Sequence, residues 1–328
     1  MNKINIANIN KHFHNKNVYL YVHCVLILEI IILFFFAKKS VDYDNYTYLI
    51  DNIYPYMNFL ELLASDPIFS WSTIFLRKLG ASTSNIIFLL SSISIVIKNR
   101  IFLEYKSSIY IATFYLCSLF WMHELTQIRT GLATTLILLA YHFHNDNKKK
   151  WYFSMLLLAA ATHISTLIFA LLHLIKNVSI NYLIALLLMA GLILYFGNRF
   201  EDALVLLNID RISRYNGDDL SFDQLGIFTV VNLLVVFQIY NHFNTNLKDD
   251  YYLRLLTPAP FLILFLLIVG QYMPVLSIRF SQILLLPLLL LVSHHISTRN
   301  RMYKVLIVLF VVPLLLFAFP YKNFFMSI

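Results

Sequence analysis

A polytopic all-α membrane protein is the fold class this chain predicts, and three observations carry it. Hydrophobic residues fill 59% of the 328 positions and charged residues only 13%, with a mean hydropathy of +0.71; a soluble domain carries about 25% charged residues. The apolar runs are continuous, which excludes the alternating pattern of a transmembrane barrel and leaves helices, whose backbone groups pair internally in lipid. The lysines and arginines collect in short segments between those runs, the distribution that orients a helical bundle. The chain therefore reads as one integral-membrane domain over 1–328 with about nine to eleven spans.

Taken in order, the first span is predicted at 18–37. It is long enough to cross a bilayer and no small-residue cleavage site follows it, so it reads as a retained helix behind a cytoplasmic N-terminus, 1–17. Further spans are predicted at 83–97, 107–122, 130–144, 178–197, 226–243, 254–272, 281–297 and 303–319. Lys3, Lys11 and Lys16 mark the cytoplasmic side, as do Lys98, Arg100 and Lys106, then Lys148, Lys149 and Lys150, and late in the chain Arg299, Arg301 and Lys304.

Counting crossings from both ends agrees only if 151–175 returns to the side it left. That stretch is predicted as two short helices, 151–162 and 164–175, broken at His163. Each is about 18 Å long at 1.5 Å per residue, short of the hydrocarbon thickness, which implies a re-entrant hairpin or a thinned, water-filled vestibule. The segments 38–82, 123–130 and 198–225 then lie outside, with a short turn at 271–280.

Composition also limits the partners. The net charge of +8 is spread over loops between spans, so it orients the chain in a bilayer and does not mark a nucleic-acid surface. Cys24 and Cys117 both sit in apolar runs, so no disulfide framework is expected. Walker, dinucleotide, zinc and nucleophile-elbow motifs are absent from the sequence.

The candidate functional residues gather on the outer segments. His123-Glu124-Leu125-Thr126-Gln127-Ile128-Arg129-Thr130-Gly131 is a polar island between two apolar walls. Ionisable groups at a span mouth usually face a cavity. Arg129 suits bidentate phosphate binding, against the plainer reading of an interfacial snorkelling arginine; Glu124 and Gln127 beside it favour a site. His163 sits at the helix break, as a base, a phosphate contact or a packed core residue. Arg211, Arg214 and Tyr215 are spaced to share a helix face and to clamp a diphosphate, although pairing with Asp210 and Asp218 in a solvated loop explains them equally well. Arg279 closes the turn after Pro274. Asp42 and Asp44, with Tyr46 nearby, follow the first span, where a structural, sugar-binding or divalent-metal role is open.

The ordered set of short motifs resembles the EpsG-like branch of the Wzy polysaccharide polymerases. The matching residues are Asp42 to Tyr46, Asp66-Pro67-Ile68-Phe69, Gln127-Ile128-Arg129-Thr130-Gly131-Leu132-Ala133, Ala160-Ala161-Thr162-His163-Ile164-Ser165, Arg211 to Tyr215, and Arg279. The resemblance spans about 25–295, and its most specific part is Gln-x-Arg-x-Gly-Leu-Ala followed by His-x-Ser. It implies a GT-C-like glycosyltransferase of the bacterial inner membrane, acting at the periplasmic face with no metal or other cofactor. The substrate implied is an undecaprenyl-diphosphate-linked oligosaccharide, with the bilayer and a chain-length-regulating co-polymerase as further partners.

On that reading Arg129, Arg211, Arg214 and Arg279 hold the diphosphate leaving group. His163 or Glu124 takes the proton of the acceptor hydroxyl, and Asp42, Asp44, Tyr46, Gln127 and Tyr215 contact sugar. Three alternatives stand beside it. An O-antigen ligase shares the outer arginines and a histidine. A polyprenyl-phosphate-sugar-dependent glycosyltransferase shares the acidic loop. A lipid-linked oligosaccharide flippase, of another class, requires internal repeats and charges through the membrane depth; here the charges collect on one face.

Overall fold

The computed structural model describes residues 16–40, 42–105, 107–145, 148–175, 258–269 and 274–298, together with Ala185, Leu188, Met189, Leu192 and Leu256. Among these the secondary structure is helical, with no strand. The chain divides into two compact units, residues 1–166 with 292–328, and residues 167–291.

The first unit begins with α1, Lys16–Phe36. Leu20, Ile27, Leu28, Ile31, Phe34 and Phe35 are exposed along it, an apolar stripe of the kind that lipid covers. Its buried side carries Val22, Val25 and Leu33 and, among them, Glu29. Lys16–Lys39 and Thr83–Phe102 are the helices long and apolar enough to cross a membrane among the described residues.

The segment expected outside, 38–82, is folded rather than extended. It forms α2 (Tyr43–Tyr48), a π-helical turn (Leu49–Ile53), a 3-10 turn (Tyr54–Tyr56), α3 (Phe59–Ala64) and α4 (Pro67–Lys78). Asn58 and Glu61 close a reciprocal capping box at the start of α3, satisfying amides that the first helical turn leaves without partners. Tyr46, Ile50, Tyr54, Leu62 and Phe69 pack into one core with Ile86, Ile87, Leu90 and Ile128. These short helices thus sit on the first turns of the helices that begin at Thr83 and Ile128.

The helices that follow are α5 (Thr83–Phe102), N-capped by Ser82, α6 (Ser108–Cys117), α7 (Ile128–Asn145) and α8 (Lys149–Thr162). α7 packs on both α5 and α8, and α1 packs on α5 and α6. Two sequence expectations shift here. α5 runs on through Lys98 and Arg100 to Phe102, so Lys98 belongs to a helix rather than a loop. The span expected at 107–122 stops at Cys117, where Ser118 leaves helical geometry (φ −136°, ψ −86°), and a π-helical turn, Trp121–Thr126, follows.

The break expected at His163 is present. α8 ends at Thr162, His163 is extended (φ −158°, ψ 110°), and a 3-10 turn follows at Ile164–Leu167. In the second unit α9 (Ile168–Ile175) packs on α10 (Pro258–Val269). The last described helix, α11, is Pro274–Thr298 and contains Pro287.

Candidate functional site

Hydrogen bonds to α5 fix how deep the polar island lies. Ser91 Oγ donates to the Glu124 carbonyl at 2.9 Å and Ser94 Oγ donates to Glu124 Oε1 at 3.0 Å. Counted from Thr83 at 1.5 Å per residue, those serines lie about 12 and 16 Å along the helix. The reversal between α6 and α7 therefore sits half-way down α5, and the expected position at the span mouth is corrected. Ending α6 after ten residues is what places the turn there.

Glu124 is corrected as well. Its carboxylate is fully buried, taking hydrogen bonds from Lys98 Nζ and Tyr115 Oη, both at 2.5 Å. A carboxylate that is 0% exposed and held by a lysine is not presented to a substrate hydroxyl, so a proton-accepting role for Glu124 does not fit. Lys98, its partner, carries no signal of this role in the sequence, because a lysine near a helix end looks like a loop charge.

Arg129 stands in the first turn of α7 and its guanidinium reaches toward the short helices of 43–78. Nη1 donates to Asp66 Oδ2 at 2.7 Å. The Tyr46 ring lies 5.7 Å from the guanidinium carbon, a cation–π distance. The other carboxylate oxygen, Asp66 Oδ1, lies 3.7 Å from His163 Nδ1. That is beyond hydrogen-bond reach, yet close enough for charge on one group to be felt by the other. Arg129 is 28% exposed at its side chain, Asp66 13% and His163 11%, so the trio is recessed but open.

The local sequence explains why Asp66 points inward. Its backbone is left-handed (φ 60°, ψ 67°) at the N-cap of α4, the sole non-glycine with positive φ among the described residues. Pro67 disfavours the right-handed helical region for the residue before it, and aspartate tolerates the left-handed one better than most side chains. Strained backbone of this kind collects at functional sites. Burial raises the Asp66 carboxyl pKa, but His163 and the Arg129 charge outweigh burial and hold it below its ordinary value. Burial pushes the phenol of Tyr46 up, opposed by Arg129, and that of Tyr54 up to about 12. Both rings stay neutral and pack on Phe69.

Tyr46 is buried beneath Arg129, so it supports the arginine and does not open toward a sugar. Asp42 is half-buried at the start of α2 and Asp44 is exposed. Gln127 is half-buried, and its carbonyl accepts from the Gly131 amide at 2.9 Å, opening α7. Arg279 is exposed on the second turn of α11, where a tight turn was expected. Arg211, Arg214 and Tyr215 lie outside the described residues. Asp66, in the Asp66-Pro67-Ile68-Phe69 motif, lies between Arg129 and His163; a lone aspartate carries no spacing signal toward partners so distant in sequence.

Comparison with known families places residues 18–327 in a match to the sequence model of the EpsG family. No curated protein and no solved structure matches the chain.

Proposed function

The chain belongs to the EpsG family, a Wzy-like polymerase family, and from that premise we propose that it polymerises lipid-linked oligosaccharide repeats at the periplasmic face of the inner membrane. The observation that supports this reading is that one carboxylate, Asp66, sits between Arg129 and His163. An anchored cation and an imidazole on either side of a recessed carboxylate suit glycosyl transfer from a diphosphate.

In the proposed step a hydroxyl of the next repeat attacks C1 of the donor sugar. The C1–O bond to undecaprenyl diphosphate breaks, and the diphosphate leaves with the electron pair. Arg129 stabilises that growing negative charge; a guanidinium has five N–H donors and stays charged through this pH range. His163 accepts the hydroxyl proton, and Asp66 stabilises the imidazolium that results. Arg279 and the Arg211–Arg214 pair remain proposed contacts to the donor, and the short helices around His163 a proposed vestibule from the outer face. The polyprenyl tail is proposed to stay in the bilayer.

The test is the surface polysaccharide ladder of a host strain lacking this gene, run beside the complemented strain. Collapse to core plus one repeat, reversed by complementation, is expected. Loss of every repeat-bearing species contradicts the polymerase and points to a ligase, flippase or earlier transferase.

A further inference from the structure

Against the first turns of α7 lies a buried polar cluster that the proposed chemistry does not use. Lys98 Nζ, Tyr115 Oη and Ser94 Oγ all donate to Glu124 Oε1, and Lys98 also donates to Tyr115 Oη at 3.0 Å. The side chains of Lys98 and Glu124 are 0% exposed. Replacing such a pair by apolar residues is often neutral or stabilising, so net stability is a weak reason for its presence.

Gly131 shows what the pair touches. A Cβ built there would stand 2.7 Å from the His123 carbonyl oxygen and 2.9 Å from Glu124 Oε2. Real Cβ atoms essentially never come within 3.0 Å of another heavy atom, and the nearer obstacle is backbone, which cannot swing aside. The backbone of Gly131 is not left-handed; what this position requires is space. Ser94 completes the joint, since its Oγ also lies 3.2 Å from the Gly131 carbonyl and 2.7 Å from Thr135 Oγ1. Arg129 is two residues before Gly131, in the same helical turn.

The geometry points to Lys98, Glu124 and Gly131 as positioning residues: the ion pair forms a seat for the first turn of α7, and that seat aims Arg129 at Asp66. The inference deepens the proposed function and rests on it for its catalytic consequence. A glutamate without its lysine shifts the seat, and a methyl group at 131 lifts the turn off it. In either case Arg129 moves relative to Asp66 and His163.

The test reads Arg129 itself. Full-length protein in lipid vesicles is treated with phenylglyoxal, and modification of Arg129 is followed by peptide mass spectrometry. Arg77, paired with Asp51 at 2.8 Å in the same unit, is the internal reference, and Asp66→Asn gives the rate of a released Arg129. Glu124→Gln and Gly131→Ala are each expected to raise the Arg129 rate several-fold with Arg77 unchanged. Lys98→Met combined with Glu124→Gln is expected to bring it back toward wild type, a coupling that contact through one joint requires. Where a single variant fails to insert, Tyr115→Phe removes one donor from Oε1, keeps the ion pair, and is expected to give a smaller rise.

An unchanged Arg129 rate overturns the inference. So does an equal rise at Arg77, which marks general loosening, or a double variant no better than Glu124→Gln. Chain elongation measured on the same vesicles separates the two claims. A raised Arg129 rate with undiminished elongation leaves the seat standing and removes Arg129 from the proposed chemistry.

Discussion

Asp66 Oδ2 accepts a hydrogen bond from Arg129 Nη1 at 2.7 Å, joining two residues 63 positions apart. One lies at the left-handed N-cap of α4 and the other in the first turn of α7. Through this bond the short helices of 43–78 and the longer helices that follow share one site, and its other neighbour is His163 at the end of α8.

Arg129→Ala is expected to reduce polymerisation by about a hundredfold or more, the scale seen when a group stabilising transition-state charge is removed. The protein should still insert, because Arg129 is partly exposed. Chain-length distributions from complemented cells check this beside a membrane immunoblot. Arg129→Lys keeps the charge but loses the planar fork, so it should restore only part of the activity.

His163→Ala is expected to lower kcat with little change in the donor KM, since the imidazole is assigned to proton transfer. General-base contributions are typically about 10²–10⁴-fold. Steady-state kinetics on lipid-linked donor and acceptor check the split, and a rise in KM alone would make His163 a donor contact instead.

The pH dependence of the site follows from Asp66. Its folded pKa is depressed below the ordinary value of 3.8, so its stabilising contribution is complete above that value and is lost as pH falls through the folded pKa. Protease resistance of the 42–78 segment in vesicles should stay level from roughly pH 7 to 5 and fall only below about pH 4. Asp66→Asn should weaken the segment at neutral pH and remove the acid-dependent loss.

Lys98→Met leaves the Glu124 carboxylate buried without its cation, and breaking a buried pair from one side costs about 3–5 kcal/mol. Thermal unfolding of the purified protein should show a large drop for this variant, with most of it recovered when Glu124→Gln is added. The contrast is Arg77→Ala. Its partner Asp51 also accepts from Thr83 Oγ1 at 2.7 Å, and the arginine side chain is 44% exposed, so the loss should stay under about 1 kcal/mol and chain length should not change.

Among the described residues much of the helical layout was legible from apolar run lengths and loop charges, which report on burial; the spans expected at 178–197, 226–243 and 303–319 lie outside those residues, apart from Ala185, Leu188, Met189 and Leu192. The break at His163 came from crossing parity alone, and the backbone departs from the helix at that residue. The depth of the polar island was not legible. Hydropathy shows that Cys117 and Met122 both lie in one apolar run, but not that Ser118 ends the helix within it. Nor does it show that Lys98 turns inward to meet Glu124. Asp66 stood in a motif whose role depends on a fold-back from α4 to α7, a relation that linear spacing cannot display.

The most direct measurement is donor consumption by the purified protein in vesicles supplied with undecaprenyl-diphosphate-linked repeats. Elongated lipid-linked chains are expected, with one undecaprenyl diphosphate released for each new linkage, and neither product with Arg129→Ala. Elongation without diphosphate release, or full activity in Arg129→Ala, would contradict it.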